Sequence, residues 1–167
     1  AIYHIDNAYY IPNLDLTSHR CKTNTVSNTA FRGFGGPQGM FCIENIIDHI
    51  SHYLKKESSN IRIVNFYKKK FNNITHYGMK VEDNIIKEIF NNLKNKSNYI
   101  KRKKEIEIFN KSNSILKKGI AITPVKFGIS FTTTHLNQAG ALVHIYTDGS
   151  IHLNHGGIEM GQGLMTK

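Results

Sequence analysis

The chain has 167 residues, enough for one ordinary domain or for pieces of two. Hydrophobic residues make up 40% and aromatic residues 10%, which is enough for a core and excludes a wholly disordered chain. A formal net charge of +10 raises the question of a nucleic-acid partner or an anionic surface. Because the basic residues are mostly Lys and run through loops and helices with much Asn and Ile, we attribute the charge to compositional bias and expect no nucleic-acid partner.

Several further classes of protein are disfavoured by the sequence. It contains no run of about 18 apolar residues, so no membrane span is expected. Its two Cys and nine His have no partners at metal-ligand spacing, so we expect a reduced, cytoplasmic compartment and no residue that binds a metal directly. The start lacks an initiator Met and the features of a signal peptide, and the end stops where a glycine loop would feed a helix. We therefore expect an internal piece of a longer chain.

The first half of the chain alternates loops with helices. Residues 1–30 read as extended and loop-like, and a glycine cluster follows at 31–39. Ser58–Asn60 could cap a shorter helix that continues through Ile61, Val64 and Tyr67. Residues 68–80 are polar and turn-like, which places our predicted domain boundary between segments 1–75 and 76–167. Between the glycine cluster and Ser58, a longer helix is predicted by apolar residues at helical spacing, namely Ile43, Ile46, Ile47, Ile50, Tyr53 and Leu54.

The second half predicts two more helices and then strands. Ile85, Ile86, Ile89, Phe90 and Leu93 recur at helical spacing after the acidic pair Glu82 and Asp83. The basic stretch 101–104 leads through Ile106 and Phe109, and we interpret it as a solvated helix face. Strands are predicted at 120–124, 126–132, 141–146 and 151–155. Between the last two, Thr147-Asp148-Gly149-Ser150 indicates a hairpin because Asp and Gly tolerate positive φ. The fold class is therefore mixed α+β.

Two glycine loops could hold an anionic ligand. In residues 31–39, glycines let the backbone approach a ligand, the following helix adds partial positive charge, and Arg32 adds a full charge. The loop at 156–163 combines glycines with one amide side chain, Gln162, and matches neither a Walker nor a Rossmann fingerprint. Tight turns also use glycine for steric reasons alone, so both interpretations stay open. Phe127 and Phe131 should share one strand face, where core packing is favoured over a planar substrate slot.

Three stretches together carry a more specific signal, namely residues 22–40, residues 123–131 continuing to 136–141, and residues 146–150 with 155–163. They resemble the molybdenum-binding part of the xanthine dehydrogenase and aldehyde oxidase family, in the same order and at similar spacings. The match is weakest at 68–118. Gly36 looks like the xanthine dehydrogenase version of the motif, and residues 132–137 look bacterial, where the enzyme is split into subunits. The implied fold is a fragment spanning parts of two molybdenum-cofactor-binding α+β domains.

The resemblance implies an oxidoreductase that hydroxylates hypoxanthine and xanthine with oxygen from water. Its implied cofactor is molybdenum on molybdopterin. Electrons would pass through 2Fe–2S clusters and FAD, held by another domain or subunit, to NAD. The full enzyme is expected to be an oligomer.

By matching motif, the resemblance also implies two sets of site residues. Those expected to bind the molybdenum cofactor are Arg32, Gly33, Met160, Gly161 and Gln162. Those expected to bind the purine are the rings Phe34 and Phe131, which would sandwich it, and Thr132 as a polar contact. The polarising arginine, the orienting glutamate and the glutamate base of the family fall outside this chain. We therefore assign no catalytic residue and expect the chain alone to be inactive.

Three alternatives remain open at this point. An aldehyde oxidase-like hydroxylase would use another aromatic or aldehyde substrate. A nucleic-acid-binding fragment would need residues 101–104 to form a basic face with interleaved aromatics, and only Tyr99 and Phe109 lie nearby in sequence. A non-functional degraded product would account for the Lys- and Asn-rich middle.

Overall fold

The computed structural model describes residues 1–28, 32–128, 135, 138–161 and 163–166. The chain divides into two compact units, Ala1–Phe127 and Gly128–Lys167. The described residues contain helices and a small sheet, so the predicted α+β class is confirmed. Within those ranges, no helix is long and apolar enough to cross a membrane.

The first unit is helical and the second holds the sheet. The α-helices are α1 (Gly36–Leu54), α2 (Ser58–Asn65), α3 (Ile86–Lys96) and α4 (Tyr99–Ser112), preceded by a 3-10 helix at Ile2–His4. The strands are β1 (Ala141–Ile145) and β2 (Ile151–His155), followed by a 3-10 helix at Leu164–Thr166.

Helix α1 confirms the apolar spacing that predicted it. Ile43 and Ile47 are buried on one face, and the left-handed residue Lys55 (φ 52°) ends the helix. Helix α2 begins at Ser58, with Glu57 rather than a serine as its N-cap. The predicted extension of α2 to Tyr67 is wrong, because Phe66 adopts an extended backbone and forms a β-bridge with Tyr9.

Helices α3 and α4 confirm the next two predictions. Phe90 on α3 and Tyr99 at the start of α4 are both buried. The basic stretch 101–104 lies on α4, where Lys103 is half-buried and the other three residues are exposed.

The strands predicted at 120–124 and at 126–128 are absent from the described residues, and the remaining part of the second one, 129–132, lies outside them. The physical reason is a side chain 117 residues away in sequence, that of Asn7. Asn7 Nδ2 donates to Pro124 O at 2.9 Å, and Lys126 N donates to Asn7 Oδ1 at 3.0 Å. An amide side chain therefore satisfies backbone groups that a neighbouring strand would otherwise bond.

The predicted hairpin is confirmed. β1 pairs with β2 in antiparallel register, from Ala141 opposite His155 to Ile145 opposite Ile151. The turn uses Gly149 at φ +84°, and Asp148 Oδ1 accepts bonds from the N–H and hydroxyl of Ser150. Every strand residue is exposed.

The buried core lies in the first unit and is largely aromatic. Tyr9 stacks on Phe66 with ring centroids 5.8 Å apart, and Phe66 meets Phe90 edge-on at 5.3 Å. The other buried apolar members are Ala8, Ile43, Ile47, Tyr99 and Ile122. The N-terminal segment, all four helices of the unit and the segment before Phe127 thus share one core.

Candidate functional site

The first glycine loop is a tight left-handed turn that leads directly into α1. Gly33, Phe34 and Gly35 all have positive φ, at 89°, 49° and 85°. Gly36 N donates to Gly33 O at 2.8 Å, which closes the turn. Glycine adopts this backbone without a steric cost, whereas a residue with a side chain adopts it only when its surroundings demand it. The loop therefore holds Phe34 in an unusual conformation between two permissive glycines.

The start of α1 is suited to an anionic group. Gly35 is the N-cap of this 19-residue helix, and no side-chain hydrogen bond caps it. The N-terminus of a helix carries partial positive charge. Here Gly36 N already donates to Gly33 O and Pro37 has no N–H, so an anion would be attracted mainly by the helix dipole. Arg32 lies beside this end and is exposed, and the Phe34 ring is 65% exposed. The segment 32–34 thus places a cation and an exposed aromatic ring next to the N-terminus of α1.

Close backbone packing fixes the start of α1. A Cβ at Gly36 would lie 2.7 Å from Phe127 Cε2, and one at Gly39 would lie 2.5 Å from Ala1 O. The His4 and Phe127 rings stack, with centroids 5.0 Å apart. Burial and the nearby Lys126 lower the pKa of His4, although Asp6 acts in the opposite direction. The first turn of α1 therefore lies against the imidazole of His4 and the phenyl ring of Phe127.

A buried ion-pair network joins α1 to α2 and to the N-terminal segment. Arg62, 1% exposed, donates to Glu44 at 2.8 Å and to Asp48 at 2.9 Å. The Tyr9 hydroxyl donates to Glu44 at 2.6 Å. Burial raises the pKa of Tyr9, and the hydrogen bond to Glu44 raises it further. The buried charge of Arg62 is therefore paired with and hydrogen bonded to both carboxylates, and the network fixes the orientation of α1 relative to α2.

A second network holds the segment that ends at Phe127. Lys126 Nζ lies 2.9 Å from Asp6 Oδ2, which also accepts a 2.7 Å bond from the Tyr67 hydroxyl. Burial, and then this bond to Asp6, raises the pKa of Tyr67. The other oxygen, Asp6 Oδ1, has no hydrogen-bond partner among the described residues, and His76 Nδ1 lies 3.9 Å away. The ring of Phe127 beside the first loop is thus fixed through its neighbour Lys126.

In the second glycine loop, several backbone N–H groups donate to the carboxylate of Glu159, a residue of the same loop. Glu159 Oε1 accepts bonds from Gly161 N at 2.5 Å and Gly163 N at 3.2 Å, and its Oε2 accepts one from Leu164 N at 2.5 Å. Gly161 and Gly163 have positive φ, at 101° and 78°. Met160, next to the carboxylate, is 54% exposed. The N–H groups of this loop can therefore converge on an anion. In this structure that anion is the carboxylate of Glu159.

The structure places the predicted site residues in two groups. Arg32, Gly33 and Phe34 lie together on the first loop, and Met160 and Gly161 lie together on the second. Phe131, Thr132 and Gln162 lie outside the described residues, so their roles stay predictions. Sequence reasoning missed Glu159. Its signal was available, because an acidic residue followed by glycines at the second and fourth positions can fold its carboxylate back onto their N–H groups.

Comparisons with known proteins point to one family. Residues 1–66 match one family model described as a molybdopterin cofactor-binding domain, and residues 92–167 match a second with the same description. The chain is 53% identical over all its residues to a xanthine dehydrogenase of Dictyostelium discoideum and 50% identical to one of Calliphora vicina. It is 49% identical to a xanthine dehydrogenase/oxidase of Rattus norvegicus. In each case the match covers 100% of this chain and 12% of the relative.

The chain thus spans about 12% of the length of the curated relatives it matches. The two matched segments leave residues 67–91 between them. The boundary predicted at 75/76 falls within that stretch and stays a prediction.

Proposed function

Because the chain belongs to the xanthine dehydrogenase and aldehyde oxidase family, we propose that it forms one part of the molybdenum cofactor and purine site of a xanthine dehydrogenase. The observation that carries the proposal is identity of about half over all 167 residues to xanthine dehydrogenases of a slime mould, a fly and a mammal. The geometry of the first glycine loop supports it, since an exposed arginine lies next to a helix N-terminus that no side chain caps.

On this proposal, five residues hold the molybdenum cofactor. When bound, that cofactor supplies the two-electron oxidation of a purine carbon. Arg32 donates hydrogen bonds and charge from beside the helix N-terminus, and Gly33 lets the backbone approach closely. Met160, Gly161 and Gln162 contact the pterin and its phosphate. The start of α1, which no side chain caps, and the left-handed Gly33 are the observations that fit this role.

Three residues are proposed to bind the purine. Phe34 and Phe131 would sandwich the flat ring, and Thr132 would contact a polar edge. The support for Phe34 is its 65% exposed ring on a backbone at φ 49°, between two glycines. Packing a ring in a core does not need such a backbone, whereas displaying one towards a ligand is a recognised use of a constrained conformation.

The remaining parts of the activity are proposed on family grounds. FAD and 2Fe–2S clusters in other parts of the enzyme would carry electrons to NAD in a cytoplasmic oligomer. The base and the polarising arginine would come from outside this chain, so the chain alone is proposed to be inactive. A bacterial type of subunit stays a prediction.

One observation favours the xanthine dehydrogenase branch over an aldehyde oxidase-like alternative. Gly36 resembles the xanthine dehydrogenase form of the motif, and aldehyde oxidases tend to carry a larger residue there. In this structure a Cβ at Gly36 would meet the Phe127 ring at 2.7 Å. The surroundings of Gly36 are therefore built for the smaller residue.

Substitutions on the first loop of the full-length gene product test the proposal. Phe34→Ala should lower xanthine turnover roughly tenfold, through lost stacking, while molybdenum per polypeptide stays near the wild-type value. Arg32→Ala should instead lower the molybdenum content. Metal analysis beside turnover rates measures both.

Matched controls make this test specific. Phe41→Ala removes a ring on α1 that is 73% exposed, and Arg102→Ala removes an exposed arginine on α4. Neither should change turnover or metal content. Equal molybdenum loss in Phe34→Ala and Arg32→Ala would refute the division of roles, and absence of molybdenum from the wild-type protein would refute the function.

A further inference from the structure

The carboxylate of Glu159 is the centre of the second glycine loop. Among the described residues, Oε1 accepts two backbone N–H bonds and Oε2 accepts one, from residues that follow Glu159 by two, four and five positions. The acceptor carries the charge, so these bonds are stronger than those between neutral groups. The chain around them includes two left-handed glycines, Gly161 and Gly163. One side chain thus determines the path of the loop.

Without that acceptor, the N–H groups of Gly161, Gly163 and Leu164 would lose these bonds. Ile158, Glu159, Met160 and Gly161 are all exposed, so packing contributes little there. Glycine also has the widest choice of backbone conformations, so Gly161 and Gly163 would leave their left-handed conformations readily. A further backbone bond, from Thr166 N to Gly163 O at 3.2 Å, lies at the C-terminal end of this stretch.

We propose that Glu159 is a positioning residue, whose carboxylate gathers the N–H groups of Gly161, Gly163 and Leu164 and thereby holds Met160 and Gly161 in the arrangement that contacts the molybdenum cofactor. The carboxylate acts through the loop and does not itself contact the cofactor. This inference rests on the proposed function, because it assigns the loop to the same site. A carboxylate that occupied the place of a cofactor phosphate would instead hinder binding, and the test distinguishes the two roles.

Two substitutions at Glu159 separate shape from charge. Glu159→Gln keeps the length of the side chain but replaces one accepting oxygen with an N–H₂ group, which faces N–H groups donor to donor. Glu159→Asp keeps both charged oxygens on a chain one carbon shorter. Glu107→Gln makes the same chemical change on the exposed surface of α4 and serves as the matched control.

The first readout is hydrogen–deuterium exchange of the full-length gene product, prepared without the cofactor and analysed by mass spectrometry. In Glu159→Gln, peptides that cover 157–166 should exchange on the order of tenfold faster, because charge-assisted bonds are lost. Peptides from α1 should exchange as in the wild type, which a general loss of stability would not allow. Unchanged exchange at 157–166 would overturn the inference.

The second readout is molybdopterin per polypeptide in proteins from a host that makes the cofactor. We expect Glu159→Gln to retain on the order of tenfold less, by analogy with other residues that orient ligands without touching the bound group, and Glu159→Asp to lie between it and the wild type. Glu107→Gln should match the wild type. Equal or higher molybdopterin in Glu159→Gln would overturn the inference, the latter outcome favouring the hindering role. A wild-type protein without molybdopterin would overturn the proposed function and the cofactor role of Glu159, even if the loop exchanged as expected.

Discussion

Gly39 lies where α1 meets the 3-10 helix at Ile2–His4. An added Cβ would lie 2.5 Å from Ala1 O and 3.1 Å from Ile5 N, and both are backbone atoms that no rotamer change can move. In an ordinary helix, replacing glycine with alanine adds roughly 0.5–1 kcal/mol of stability. Here the steric effect has the opposite sign, and overpacking costs about 1–3 kcal/mol. The two magnitudes show that the steric effect should win.

We therefore expect Gly39→Ala to lower the free energy of unfolding of the chain by about 1 kcal/mol, the middle of the overpacking range less the middle of the helix gain. Urea unfolding followed by tyrosine fluorescence measures it, since the chain has eight Tyr and no Trp. Gly119→Ala is the control, because a Cβ there meets nothing within 4 Å. A stabilised Gly39→Ala variant would show that the two elements are not in this contact.

The contacts of single residues were harder to predict from the sequence than the secondary structure was. Gly39 reads as an ordinary glycine in a helix, because its requirement comes from Ala1 and Ile5, far away in sequence. Asn7 gives no sign that it will bond Pro124 and Lys126. Such roles depend on which segments meet, and neither composition nor periodicity records that.

At the scale of elements, Glu57 links the start of α2 to α4. It pairs with Lys103 and accepts a 3.3 Å bond from the Tyr99 hydroxyl. Burial acts to raise the pKa of Glu57, but the bond and charge of Lys103, with smaller help from Ser59 and Tyr99, hold it below its usual 4.5. A carboxyl whose pKa is lower in the folded state stabilises the fold above its unfolded pKa. That contribution is lost as the pH falls through the lowered value.

A double-mutant cycle of Glu57→Gln and Lys103→Ala should therefore give a coupling of about 1 kcal/mol at pH 7, since both side chains are partly exposed and screened. The coupling should fall towards zero as the pH drops below 4.5 and the carboxyl takes up its proton. The exposed pair Lys101 and Glu105, 4.0 Å apart on α4, should show a smaller coupling and serves as the comparison. A Glu57–Lys103 coupling that does not depend on pH would contradict the assignment.

Elements could be predicted where the pattern is local. The helical spacing of apolar residues predicted α1 and α3, the basic stretch 101–104 was interpreted as a face of what is α4, and the Asp148-Gly149 turn predicted the hairpin. The strands at 120–124 and 126–128 were wrong because their backbone groups bond a distant side chain. The end of α2 was wrong because Phe66 leaves the helix to pair with Tyr9. Each failure marks a place where a long-range contact overrides a local preference.

At the scale of the whole molecule, the family could be predicted and the inner working of the site only in part. From physical chemistry alone, the two glycine loops could equally have been tight turns or anion-binding sites. Only the joint resemblance of the three motif stretches to a family favoured the anion-binding interpretation. Arg32, Gly33 and Phe34 could be singled out because their motif is dense. Glu159 was missed because a resemblance draws attention to residues that contact ligands, whereas the bonds it accepts from Gly161, Gly163 and Leu164 lie within its own loop.

The two compact units should differ in stability when the 167-residue chain is isolated. The first unit buries an aromatic core, whereas all ten strand residues of the second are exposed. A two-stranded hairpin is marginal in water without a packed face or further strands. In hydrogen exchange, amides of α1 should therefore be protected in the isolated chain, and those of β1 and β2 should exchange nearly as fast as in an unfolded peptide.

In the full-length gene product, the same hairpin should become protected, if the product supplies the rest of a cofactor-binding domain as the length of the relatives suggests. The apolar side chains of both strands, Leu142, Val143, Ile145, Ile151 and Leu153, would then lose their 56–68% exposure and gain packing. Exchange of peptides covering 141–155, compared between the isolated chain and the full-length product, measures the difference. Strong protection of the hairpin in the isolated chain would show that it needs no further strands, and equal lack of protection in both would show that nothing covers it.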